Sequence, residues 1–264
     1  MRLLLVFLCT LSLQHALAET LVVAHRGASH DAPENTLAAF NLAWEQGADA
    51  IEADFRLTMD GRLICIHDES TSDVSNEIRN VDETEWARLR EMDVGSWKGK
   101  RFANERMPSL AEVLATVPAG KLAYIELKGD YHIVDPFLVE LAETDFPIEQ
   151  LRVIAFDRRV LYRIKTKQPE IQTMLLISFQ FSTAGYHPRL EAAAEQAKGI
   201  KADAISMNLK GPLTPDSIRW LNDQGLRVHA WTIDHAGVSQ TLADFGVDSI
   251  TTNRPYDIKT ALRK

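Results

Sequence analysis

Seven polar residues stand at the ends of short apolar runs in the first half of the chain, and their types suit metal-assisted proton chemistry: His25, Arg26, Glu52, Asp54, His67, Glu126 and Lys128. Glu52 and Asp54 are two apart, so in a strand both side chains leave the same face. With Glu126 on a neighbouring run they can converge on one point, where three carboxylates repel unless a cation lies among them. An all-oxygen donor set suits one divalent cation, Ca2+ or Mg2+, and gives no reason to expect zinc. His25 and His67 can take and give protons near neutral pH, as breaking a P–O bond requires at its attacking and leaving oxygens. Arg26 and Lys128 bracket the same runs with positive charge for phosphate oxygens. Taken singly, an acid-x-acid pair is an ordinary solvated strand edge and a strand-end histidine an ordinary hydrogen-bonder. Burial within a fold reverses that reading, because unpaired buried acids are costly.

The elements that must position these groups follow from periodicity. Short runs rich in Val, Ile and Ala predict strands over Leu21–His25, Ala50–Asp54, Ala123–Leu127, Arg152–Phe156, Thr173–Ile177, Ala204–Met207, Arg227–Thr232 and Ser249–Thr252. Helical spacing lies between them, over Glu34–Gln46, Ser109–Thr116, Val134–Thr144, Arg158–Lys167, Leu190–Lys198, Pro215–Asp223, His235–Phe245 and Tyr256–Arg263. Strands alternating one for one with helices predict a single-domain (β/α)8 TIM barrel, with a doubly wound open sheet as the alternative. Glycines in the phrases Gln46-Gly47-Ala48, Gln224-Gly225-Leu226 and Phe245-Gly246-Val247 close helices before the next strand. Asp60-Gly61 signals a hairpin that returns Arg62–His67 along the second strand. The segment Glu69–Met107 has no clean strand and reads as a small insertion at the barrel rim, fit to recognise substrate.

Active sites of such barrels lie at the C-terminal ends of the strands, where the seven residues fall. Pro33-Glu34-Asn35-Thr36 opens the first helix there, with Glu34 and Asn35 near the mouth. Trp231 and His229 share strand parity and should face inward, Trp231 nearer the mouth and His229 as a satisfied core residue. Phe179, Phe181 and Tyr186 follow the fifth strand and offer an apolar rim, or plain loop packing.

Arg2, the apolar run Leu3–Leu13 and Ala16-Leu17-Ala18 have the order of a cleaved signal peptide over residues 1–18, followed by one domain over 19–264. Thr10 and Ser12 interrupt the run, which falls short of the roughly 20 apolar residues of a membrane span. Export to a periplasm or the medium, without a stable membrane anchor, is the expectation. Cys9 would leave with the leader, so Cys65 stands alone and no internal disulfide can form. A formal charge of −8, with no run of Lys or Arg, argues against nucleic acid and anionic membrane as partners. A small molecule is the expected partner.

The ordered set His25-Arg26-Gly27, Pro33-Glu34-Asn35-Thr36, Glu52-Ala53-Asp54, His67-Asp68, Glu126-Leu127-Lys128, Ala230-Trp231-Thr232 and Thr252-Asn253-Arg254-Pro255 resembles the glycerophosphodiester phosphodiesterase family. Each element alone is weak, but the order is specific and spans nearly all of residues 19–264. The resemblance implies a metal-dependent (β/α)8 enzyme that cleaves glycerophosphodiesters, such as glycerophosphocholine or glycerophosphoethanolamine, to sn-glycerol 3-phosphate and an alcohol. It makes His25 and His67 the acid-base pair, Glu52, Asp54 and Glu126 the metal ligands, Arg26 and Lys128 phosphate contacts, and Glu34 a support for the first histidine and the metal region. Trp231 would pack against the glycerol. Ala155 departs from the pattern, where a serine is expected before Phe156-Asp157. The alternatives are a phospholipase D-like activity on lysophospholipid or sphingomyelin, and a non-catalytic phosphodiester-binding protein. Two histidines retained beside three acids argue against the binder, which has no need of proton transfer.

Overall fold

The computed structural model describes residues 19–263, so the expected leader at 1–18 lies outside the described residues. The first elements are β1 (Leu21–His25), α1 (Leu37–Glu45), β2 (Ala50–Leu57) and β3 (Leu63–Cys65), then the short α2 (Trp86–Leu89) and α3 (Leu110–Ala115). They are followed by β4 (Leu122–Leu127), α4 (Val134–Ala142), β5 (Leu151–Ala155), α5 (Arg158–Lys167), β6 (Gln172–Ile177), β7 (Gln180–Ser182), β8 (Gly185–His187) and α6 (Leu190–Gly199). The chain ends with β9 (Ala204–Asn208), α7 (Pro215–Asp223), β10 (Arg227–Trp231), α8 (Ala236–Asp244), β11 (Ser249–Thr252) and α9 (Pro255–Leu262).

Near-continuous apolar runs suit strands buried on both faces, and eight of them pair in parallel as β1-β11-β10-β9-β6-β5-β4-β2. Pairing of β1 with β2 closes the ring into the expected (β/α)8 barrel. Alternation divides the core in two. Val22, Ile51, Ile125, Val153, Ile205 and Val228 point outward against the helices. Val23, Tyr124, Ile154, Met174 and Leu176 fill the lumen. Each such side chain, fully buried, contributes roughly 1.5–3 kcal/mol.

The Asp60-Gly61 return is present, with β3 antiparallel to β2 in the register Phe55↔Cys65. The following insertion is packed as a unit: Ile64, Ile66, Val81, Leu89, Met92, Val94 and Met107 form their own apolar cluster. Lys98 Nζ ties it to the β1–α1 loop through Ser29 O at 2.7 Å.

Several predicted boundaries shift. The first helix begins at Leu37, with Thr36 as N-cap accepting from Ala39 N; Glu34 and Asn35 lie in the turn before it. Asn35 has φ +56°, which no helix admits. The strands expected to reach Phe156 and Thr232 end at Ala155 and Trp231. The β7–β8 hairpin was not foreseen, because its strands are three residues each and exposed, leaving no buried face to create a pattern. Of the proposed apolar rim, Phe179 is core at 0% exposure, and only Phe181 and Tyr186 reach solvent.

Candidate active site

Strand register assembles the site. His25 lies opposite Glu52 in the β1–β2 pairing. Asp54 lies opposite Glu126 in the β2–β4 pairing. All four side chains therefore meet at the C-terminal end of the lumen, where alternate residues point inward. The three carboxylates are buried, and one oxygen from each lies within 4.8 Å of the others.

Each acid is held by a different neighbour. Arg26 N donates to Glu52 Oε2 at 2.9 Å, which requires the left-handed turn at Arg26 (φ 55°) and Gly27 (φ 79°). A Cβ at Gly27 would come within 2.6 Å of the Ala39 backbone, so only glycine lets this turn lie against α1. Asn35 clamps Asp54 at both ends, donating from Nδ2 to Oδ2 at 2.8 Å and accepting from Asp54 N at 3.1 Å. Lys128 Nζ lies 2.5 Å from Glu126 Oε1 and 3.0 Å from Asp54 Oδ1.

These contacts do not satisfy the cluster. Glu52 Oε1 and Asp54 Oδ1 are buried without a hydrogen bond; Lys128 faces the latter as an ion pair only. Burial pushes Glu52 well above the usual carboxylate range, and the charges of Asp54 and Glu126 push it further. Burial and Asp54 likewise lift Glu126 to about 7. Burial works against Asp54 as well, but Lys128 and Arg26, with His67 and His25, outweigh it and hold that carboxyl low. Three hard oxygen donors sharing too little positive charge fit a divalent cation.

The two imidazoles are anchored differently. His25 Nδ1 meets Asn253 Oδ1 at 2.7 Å. The amide orientation is set by Asp234, whose Oδ2 accepts from Asn253 Nδ2 at 2.7 Å. Asn253 Oδ1 must then be an acceptor, so His25 carries its proton on Nδ1 and presents a bare Nε2. Burial lowers His25 to about 4, with Arg26 adding to it, so the ring is neutral at pH 7. His67 Nδ1 meets the carboxylate of Asp68 at 2.7 Å. Arg56 Nε donates to His67 O at 2.7 Å and fixes the backbone beneath it.

Glu34 binds Arg26 Nη1 at 2.8 Å, so it orients the arginine and reaches His25 only through it. Trp231 donates from Nε1 to Ser206 O at 3.1 Å and packs edge-to-face on Phe156 at 5.7 Å. A hollow of about 30 Å3 joins Trp231 to His25 and Glu52. Ala155 sits in the layer between strands and helices, so the serine missing there does not shape this wall; Phe156 does. A larger cavity, about 360 Å3, opens beside Lys128 with Glu69, Asp82 and Asp130 in its wall.

Asn253, Asp234, Arg56 and Asp68 are the members that the sequence reading did not single out. Asn253 and Asp68 were visible within the ordered motifs. Asp234 and Arg56 carried no signal, because each acts through a contact between neighbouring strand ends that its own residue type does not announce.

A parallel barrel with two imidazoles, two cationic side chains and a buried carboxylate triad at its catalytic end defines a (β/α)8 hydrolase. The model of the glycerophosphoryl diester phosphodiesterase family matches residues 25–257. The chain belongs to that family and is a phosphodiesterase. It is 31% identical to a glycerophosphodiester phosphodiesterase of Caldanaerobacter subterraneus over 93% of this chain and 99% of the other. A Bacillus subtilis glycerophosphodiester phosphodiesterase is 28% identical over 89% of this chain and 84% of its own. Among solved structures, an Oleispira antarctica phosphodiesterase in complex with the product sn-glycerol-3-phosphate superposes with TM-score 0.82 at 26% identity, covering 92% and 97% of the two chains.

Proposed function

We propose that the enzyme hydrolyses glycerophosphodiesters to sn-glycerol 3-phosphate and an alcohol by metal-assisted, two-histidine acid-base catalysis. The observation that carries this reading is the pair of imidazoles set around one buried carboxylate, Asp54, with Asn253 fixing the proton-accepting tautomer of His25. Glu52, Asp54 and Glu126 would hold one Ca2+ or Mg2+, which when bound neutralises charge developing on the phosphoryl oxygens. Arg26 and Lys128 add positive charge beside the phosphate. His25 Nε2 takes the proton of the glycerol 2-hydroxyl as its oxygen attacks phosphorus. His67, oriented by Asp68, gives a proton to the departing alcohol oxygen. The product of that step is a cyclic phosphate; water opens it, losing its proton to His67 while His25 returns one to the 2-oxygen. A substrate analogue lacking the 2-hydroxyl should turn over poorly, and full turnover would reject the cyclic route. Trp231 packs against the glycerol. The cavity beside Lys128, where Glu69, Asp82 and Asp130 outnumber Arg56 and Lys128, would take the alcohol, with its acids toward a cationic one such as choline or ethanolamine.

The deciding experiment measures glycerol 3-phosphate release from glycerophosphocholine by residues 19–264, with and without chelator, beside His25→Ala. Loss of release in both arms supports the reading; release that survives either one overturns that part of it. Residues 1–18 act as a leader that exports the chain, and mass spectrometry of the exported protein should find Glu19 at its amino terminus.

A further inference from the structure

We propose that the N-terminal mouth of the barrel, at the opposite end from the carboxylate cluster, binds a small phosphate-type oxyanion through Arg152, Arg227 and His229. A cavity of about 340 Å3 opens there between these side chains and Tyr124. Strand parity directs them into it. Arg152 is two residues before the lumen-facing Ile154 on β5, and Arg227 is two before His229 on β10. Branched apolar side chains are the usual filling of a barrel interior, so two guanidinium groups at its floor call for a partner.

Carboxylates lie near the two arginines only at longer range: Asp203 acts on Arg152 and Asp248 on Arg227 through space, without direct contact. Among the described residues, neither Arg152 nor Arg227 forms an ion pair with a carboxylate. Arg152 Nη1 donates only to the carbonyls of Glu149 and Leu151, each at 2.8 Å. Arg227 Nη2 donates to the neutral Gln172 Oε1. Burial, with the like charge of Arg227, pulls Arg152 below the usual arginine range. Between them His229 is 4% exposed; its Nδ1 is paired with Ser249 Oγ, and its Nε2 is buried with no partner. Burial holds this ring at about 3, with Arg227 and Arg152 opposing a further positive charge, so it is neutral and can donate from Nε2.

Two acids also border the cavity, and neither forms an ion pair with the arginines. Asp248 gives one oxygen to Val228 N at 2.8 Å, and Glu19 turns to Lys259 at 3.4 Å. Two forked guanidinium groups and one ring N–H match the tetrahedral, multiply accepting face of a phosphate. The cavity has the volume of roughly ten waters at about 30 Å3 each, room for a phosphate with a small organic substituent. The shared chemistry is thus inorganic phosphate or a phosphomonoester, and the inference stands whether or not the catalytic reading does.

The test is calorimetric titration of the chelator-treated chain with inorganic phosphate and, separately, with glycerol 3-phosphate. Wild type and the double variant Arg152→Gln/Arg227→Gln are compared. Binding should weaken at least about tenfold in the variant, the loss of one charge-assisted contact or more, while phosphodiesterase turnover is unchanged. Tighter binding of glycerol 3-phosphate assigns the site to an organic phosphate and tighter binding of phosphate to the free ion; either result supports it. In parallel, the His229 ring resonances of the wild-type chain should shift as phosphate is added, a readout that does not depend on the variant folding. Undiminished binding in the variant, or His229 resonances that stay in place, would overturn the proposal.

Discussion

Replacing Asn253 by alanine should slow catalysis without weakening substrate binding. Asn253 Oδ1 is the acceptor for His25 Nδ1, and Asp234 holds the amide so that only this orientation satisfies it. Alanine leaves a buried N–H without an acceptor, a cost of about 1–3 kcal/mol. The ring escapes that cost by moving its proton to Nε2, which then cannot accept one from the attacking hydroxyl. At about 1.36 kcal/mol per tenfold, kcat should fall roughly 5- to 150-fold. KM should hold, because Asn253 stands behind the ring. The hydrogen bond that His25 donates to Asn253 also raises the pKa of the ring, opposing the burial that takes it to about 4. Its loss moves the acid limb of the kcat/KM profile to lower pH. The assay is initial-rate release of glycerol 3-phosphate across a pH series, with a thermal melt to show that the variant is folded. A folded Asn253→Ala chain with wild-type kcat and an unmoved acid limb would refute the tautomer argument.

Three further outcomes follow from the same geometry. Asn35→Ala removes both bonds that clamp Asp54 and should weaken divalent-cation affinity by about 10- to 100-fold, as measured by calorimetry. Ca2+ or Mg2+ at about 100 times its dissociation constant should stabilise the chain by about 2.7 kcal/mol against urea, and chelator should abolish that gain; equal unfolding midpoints would contradict a cation site. His229 titrates at about 3 when folded against 6.5 when unfolded, so between those values the unfolded chain holds the extra proton. Its contribution is complete above pH 6.5 and is lost as pH falls; relative to His229→Asn, wild-type stability in urea melts should decline by about 1.4 kcal/mol per pH unit.

The barrel was legible because its strands are buried on both faces and its helices on one, which writes two distinct periods into the chain. The carboxylate triad was legible for a similar reason: acids at Glu52, Asp54 and Glu126 interrupt apolar runs that have no other use for charge. What the sequence concealed depends on contacts made between loops and strand ends. Asp234 looks like any loop aspartate until β11 brings Thr252 and Asn253 against it. Glu34 was read as support for the first histidine and the metal region; its direct partner is Arg26, whose Nε lies 3.3 Å from Asp54 Oδ2. Phe179, which follows a strand, was read as apolar rim or plain loop packing, and the second holds. It is buried because Asn208 holds that backbone down, accepting from Phe179 N at 2.9 Å.

The bond between His25 and Asn253 joins residues 228 positions apart, across the seam where β1 meets β11. Among the described strands, β1 therefore carries the proposed base and β11 must orient it. Synthesis as far as Glu126 supplies all three carboxylates of the triad, yet His25 gains its Nδ1 acceptor only with Asn253. On the proposed mechanism, catalytic competence is in this sense a report that β11 has closed against β1.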